Sequence, residues 1–135
     1  MSLKFINDFQ LRIYHALADD HAIRSRIDKI YVSIVQDAKY PFLLINFLKV
    51  EDCSKTNHAM YNVDFEICVF ARDKTQGLLV SIADMIVVKL TPASCVFENY
   101  LILGMKNQYI AFDRSQDLVT TKLIVRYKAL VQQEL

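Results

Sequence analysis

Tyr61-Asn62-Val63-Asp64-Phe65-Glu66-Ile67-Cys68-Val69-Phe70-Ala71-Arg72 alternates without a miss. Tyr61, Val63, Phe65, Ile67, Val69 and Ala71 share one side, and Asn62, Asp64, Glu66, Cys68, Phe70 and Arg72 share the other. A period of two is that of a half-buried strand, with one face on a core and one toward water or a partner. At Asp73 the period becomes helical. Leu79, Ile82, Ala83, Ile86 and Leu90 then form one apolar stripe, behind an Asp73-Lys74-Thr75-Gln76 capping pattern. This strand-to-helix switch decides the fold class. It carries no reactive chemistry.

Upstream, Phe5, Ile6, Phe9, Ile13 and Leu17 recur at helical spacing and predict a helix over about Leu3 to Ala18. Asp19, Asp20 and His21 break it, and Asp20 caps a short turn through Arg26. Ile30 to Val35 reads as a strand. Phe42 to Val50 reads as another, after an extended Tyr40 before Pro41. Its Phe42-Leu43-Leu44-Ile45-Asn46-Phe47-Leu48 run is apolar on both faces. One face must meet a helix and the other a second layer or a neighbouring subunit, because so apolar a sheet face is not left wet. Glu51 to Met60 reads as a polar loop, long for a hairpin and expected to be mobile.

Downstream, the second helix ends at Thr91-Pro92. Cys95 to Phe112 holds one or two strands, Asp113 to Asp117 is a turn, and Leu118 to Val131 is a long strand. The order is α-β-β-β-α-β-β over a single domain, residues 1–135. It predicts an α+β fold: a mostly antiparallel sheet of about five strands, three of them hairpin-connected, with two main helices on one face. The second face of Phe42 to Leu48 and the polar face of Tyr61 to Arg72 nominate Phe42, Leu44, Asp64, Glu66 and Phe70 as candidate subunit contacts.

The 16 Lys and Arg against 15 Asp and Glu leave a net charge of +1, which disfavours nucleic acid as the main ligand. The hydrophobic fraction is 53% and the mean hydropathy is +0.19, high for a small soluble domain. No apolar run approaches the ~20 residues of a membrane helix. The excess therefore points to surface buried against other chains, most simply a homo-oligomer. Three scattered Cys make no disulfide framework, and the polar-interrupted start has no signal-peptide core. A reducing cytoplasm is expected.

Catalytic signatures are missing. With only 2 Gly, Gly77 and Gly104, no Gly-rich phosphate cradle is possible. Cys53 and His58 share a loop with Glu51 and Asp52, but the spacing is loose and lacks a second ligand pair. A polar hairpin loop with a chance Cys explains it better. No Ser sits in a nucleophile elbow, and no orienting group is evident for a Cys-His pair. Cys68 and Cys95 read as packing residues, and His15 and His21 as surface or boundary positions. Asp64 and Glu66 point the same way and could serve as paired carboxylates. A strand face whose acids pair with Lys122, Arg126 or Lys128 of the last strand explains them better. No catalytic, cofactor-binding or metal-binding residue is nominated.

Several strings resemble the tail-terminator (tail-completion) proteins of long-tailed phages and prophages, and their relatives in gene-transfer agents. They are the opening helix before Ala16-Leu17-Ala18-Asp19, Ile30-Tyr31-Val32 followed by Tyr40-Pro41-Phe42, and the strand Val63 to Arg72. The helix with Ile82-Ala83-Asp84 and the closing Arg126-Tyr127-Lys128-Ala129 also fit. The chain departs in lacking the Gly-containing turns such proteins often have, notably near Asp113 to Asp117. The resemblance implies helices against a sheet and a ring, typically of six subunits, on a finished tail tube. Such a ring stops polymerisation and presents a surface to the head-tail connector. Its partners are then other copies, the tube protein and connector proteins, with DNA only passing through a lumen. The protein would be found in the host cytoplasm during assembly and then in the virion tail, with no membrane, cofactor or enzymatic activity. The competing class is a small α+β enzyme or ligand-binding domain with a site between sheet and helices.

Overall fold

A computed structural model describes residues 3–33, 36–72, 76–90, 95–96, 100–114 and 119–133. The first helix, α1 (Lys4–Ala18), buries Phe5, Phe9, Ile13 and Leu17. Their spacing of one turn puts all four on one stripe. The next helix, α2 (His21–Arg24), starts at Asp20, whose carboxylate accepts the Ile23 N–H at 3.1 Å. The expected cap is therefore in place.

The strands are β1 (Ile30–Tyr31), β2 (Phe42–Asp52) and β3 (Ala59–Arg72). After α3 (Gln76–Lys89) come β4 (Cys95–Val96), β5 (Tyr100–Arg114) and β6 (Thr120–Gln133). They form one six-stranded sheet in the order β1-β2-β3-β6-β5-β4. β2, β3, β6 and β5 pair antiparallel. The α+β class and the helix-strand order agree with the sequence. Four strands are long and the two at the edges are two-residue pieces.

Three local expectations need correction. β1 covers Ile30–Tyr31 rather than Ile30 to Val35, and it runs parallel to β2, so these two do not make a hairpin. It is held by the Asp28 N–H to the Pro41 carbonyl at 2.7 Å and the Leu43 N–H to the Lys29 carbonyl at 3.0 Å. The Glu51 to Met60 loop is shorter than it read. β2 continues through Asp52 and β3 begins at Ala59, so Cys53 to His58 suffices to turn the chain. The Cys53 N–H meets the Met60 carbonyl at 2.9 Å, and Lys55 and His58 exchange two backbone bonds at 2.9 Å. That pinning argues against a freely mobile loop. Third, β5 runs through Asp113 and Arg114, where a turn was expected. The capping pattern at Asp73, the Thr91-Pro92 stop, Ile34, Val35 and the rest of that turn lie outside the described residues.

The core lies on the helix-covered face. Val63, Phe65, Ile67 and Val69 of β3 and Leu123, Val125, Tyr127 and Ala129 of β6 are fully or almost fully buried there. Phe65 is its centre. Its ring lies 5.7 Å from Phe9 of α1, 5.4 Å from Phe47 of β2 and 5.2 Å from Tyr127 of β6. All five residues of the α3 stripe are buried as expected. A bond from the Tyr100 hydroxyl to the Asp8 carboxylate, 2.6 Å, ties α1 to β5. No helix of the described residues is long and apolar enough to cross a membrane.

Candidate functional site: the helix-free face of the sheet

Phe42, Leu44, Asp64, Glu66 and Phe70 all come together on the face that carries no helix among the described residues. Registers place Phe42 beside Phe70, Leu44 beside Cys68 and Asn46 beside Glu66. β6 continues each row, with Lys122 next to Phe70, Arg126 next to Glu66 and Lys128 next to Asp64. The face therefore has an aromatic end and a charged end.

At the aromatic end, the Phe42 and Phe70 rings stack at 4.7 Å with an interplanar angle of 11°. Tyr31 meets Phe42 edge-on at 5.5 Å, and Tyr40 lies 5.2 Å from it. Cations cover the cluster: the Arg72 guanidinium sits 4.5 Å from the Tyr40 ring centre, and the Lys122 ammonium 5.6 Å from that of Phe70. Such contacts contribute about 0.5–1 kcal/mol each when exposed. Phe42 and Phe70, both nominated as subunit contacts, are half-buried here. Sequence reading did not find the roles of Tyr31, Tyr40 and Arg72. Tyr40-Pro41-Phe42 was the available signal, since Tyr40 and Phe42 meet across that short run.

At the charged end, Lys128 Nζ lies 3.9 Å from Asp64 Oδ1 and Arg126 Nη1 lies 3.9 Å from Glu66 Oε2. Both partners were named from charge alternation. The carboxylates are not solvated, however: Asp64 and Glu66 are each only 8% exposed. Flanking rows on β2 and β6 close over them, which a single strand's pattern does not reveal. Glu66 also accepts from Asn46 Nδ2 at 3.3 Å and from the Cys68 thiol at 3.5 Å. Burial foremost, with the Glu66 charge adding to it, pushes the Cys68 thiol up to about 12. A thiol so held is protonated and unreactive at neutral pH.

Chemistry elsewhere is sparse. His58 Nδ1 contacts Gln132 Nε2 at 3.2 Å, and Cys53 is half-buried in the same hairpin. Among the described residues no group of three or more His, Cys, Asp and Glu is placed to hold a metal ion. A cleft of about 470 Å³ at the end of α1 is lined by Tyr14, His15, Asp19, Arg24, Asp28 and Lys29. Its charged side chains all stand exposed to water. A second cleft, about 400 Å³ and mostly apolar, lies between α3 and β5.

The class these features define is a small α+β protein with one helix-covered core face and one open face suited to packing. Residues 12–132 match the family described as Tail completion protein gp17, and the chain belongs to that family, a structural family of phage tails. No curated protein matches it in sequence. Among solved structures it is similar to a chain in the virion of a native gene transfer agent particle. The TM-score is 0.82 at 16% identity, covering 97% of this chain and 99% of that one. It is also similar to the gp17 protein of bacteriophage SPP1, with a TM-score of 0.64 at 17% identity over 94% and 91% of the two chains. At such identities these likenesses establish the fold.

Proposed function

We propose that this protein ends tail assembly. Copies close into a ring, typically of six, on the finished tail tube, stop further addition of tube subunits, and offer the opposite surface to the head-tail connector. The helix-free face borders the lumen or a neighbouring copy, and DNA only passes through. The protein has no enzymatic step to perform. It assembles in the host cytoplasm and ends in the virion tail. The observation that carries this reading is the family match over residues 12–132. The apolar surplus supports it, as does the helix-free face, where Phe42 and Phe70 stay half-buried beside the buried Leu44, Asp64 and Glu66, because a ring needs a head-to-tail interface that closes.

Sedimentation and negative-stain images of the purified protein test the ring. The expected result is a single closed species with an open centre. A protein that stays monomeric, both alone and when mixed with tail tubes, contradicts the reading.

A further inference from the structure

The sheet has two edges, and each is covered over only part of its length. β1 pairs with Leu43 and Leu44 of β2. β4 pairs with Leu101 and Ile102 of β5. Among the described residues no strand lies beside Ile45 to Asp52 of β2, or beside Leu103 to Arg114 of β5. An open edge presents unpaired N–H and C=O groups and is a template for another strand. The β5 edge also carries unusual apolar exposure: Ile110 is 44% exposed and Phe112 51%. Both line the apolar cleft with Val80, Ala83 and Val87 of α3.

We infer that these two edges are the ring interface: Ile45 to Asp52 of one copy pairs antiparallel with Asn107 to Arg114 of the next, continuing the sheet from subunit to subunit. The inference rests on the ring reading and specifies its contact. Direction supports it. Three antiparallel steps separate β2 from β5, so the strands run oppositely. A copy rotated about an axis to which the strands are tilted therefore brings its β5 antiparallel to its neighbour's β2, and the tilt lets the two be staggered along the strands while the ring still closes. The caps set the stagger. Leu43 and Leu44 stand level with Phe112 and Ala111 across the sheet. In a level join, the end of β5 would strike the neighbour's β1. Sliding the neighbour along the strands until Arg114 clears Leu44 frees both caps, because β4 lies at the opposite end of its strand. A closed sheet requires such a stagger in any case.

The resulting pairs are chemically sensible. Phe112 comes beside the neighbour's half-buried Phe47 on the helix-covered side, and Asn46 comes beside Asp113 on the other. Leu48, 41% exposed at the β2 bulge, approaches the apolar cleft. The chain thereby covers its most exposed strand aromatic with its own second edge. The edges differ from one another, so the contact is head-to-tail and closes only in a ring.

Cysteines at Asn46 and Asp113 test the pairing in a chain carrying Cys53→Ser and Cys95→Ser. Opposed antiparallel residues have Cβ atoms ~4.5–5.5 Å apart, near disulfide reach. Mild oxidation of the N46C/D113C variant should give a covalent ladder of copies on a non-reducing gel, and neither single variant should. Phe112→Lys should raise the midpoint concentration for assembly at least about tenfold, which corresponds to about 1.4 kcal/mol. Its subunit should still melt cooperatively, because the position is exposed. Wild-type rings, with no ladder and with normal assembly of Phe112→Lys, would overturn the edge pairing and leave the ring standing. A wild type monomeric alone and on tubes would remove both.

Discussion

Phe65→Ala is the sharpest test of the two faces. Phe65 is fully buried, with rings from α1, β2 and β6 within 5.7 Å. Truncating such a residue costs about 3–5 kcal/mol in transfer and cavity terms, against a whole-domain stability of about 5–15. The three ring neighbours favour the upper part of that range. At this chain length each kcal/mol is worth about 3–4 °C, so the midpoint should fall by about 9–20 °C. The neighbouring Glu66→Gln changes the opposite face. It keeps an acceptor for Asn46 and removes the charge facing Arg126 at 3.9 Å. The Arg126 side chain keeps 27% exposure, so water compensates it. The cost should be no more than about 1–2 kcal/mol after that screening. Calorimetry at pH 7 on subunits dissociated by the Phe112→Lys change reads both. A fall for Glu66→Gln as large as that for Phe65→Ala would refute the assignment of faces.

Stability should also fall at alkaline pH. The Cys68 thiol and the Tyr127 phenol are both pushed up to about 12, in each case chiefly by burial. In the unfolded chain they ionise near ~8.5 and ~10. Between those values and about 12 the native state holds more protons, so stability is full below pH ~8.5 and declines as pH rises. Tyr127→Phe should flatten the decline above pH ~10 in urea melts; an unchanged slope would contradict the burial of its hydroxyl. In the hairpin, the Cys53 and Met60 amides should exchange more slowly than those of Thr56 and Asn57. Ser54→Ala should expose the Met60 amide, which now donates to Ser54 Oγ at 2.9 Å. Equal exchange across all four would restore the mobile loop.

The long-range plan was legible because β3 and α3 keep their periods throughout. The alternation from Tyr61 to Arg72 gave the buried face, and charge alternation on β6 gave the partners of Asp64 and Glu66. The five candidate contacts do share one face. What could not be read has physical causes. A bulge at Leu48 shifts the parity of β2, and the polar Glu51 and Asp52 that follow Val50 look like loop although they continue the strand. β1 and β4 are too short for any period to show. The burial of Asp64 and Glu66 comes from neighbouring strands, not from their own. The open edges were invisible because strand order is a tertiary property.

The central claim is that this protein stops a growing tube. The direct measurement is the length distribution of tail tubes polymerised from tube protein, imaged with and without this chain added in excess. With it, elongation should cease and each tube should end in a ring of density. Tubes that keep lengthening at the same rate, with bare ends, would contradict the account.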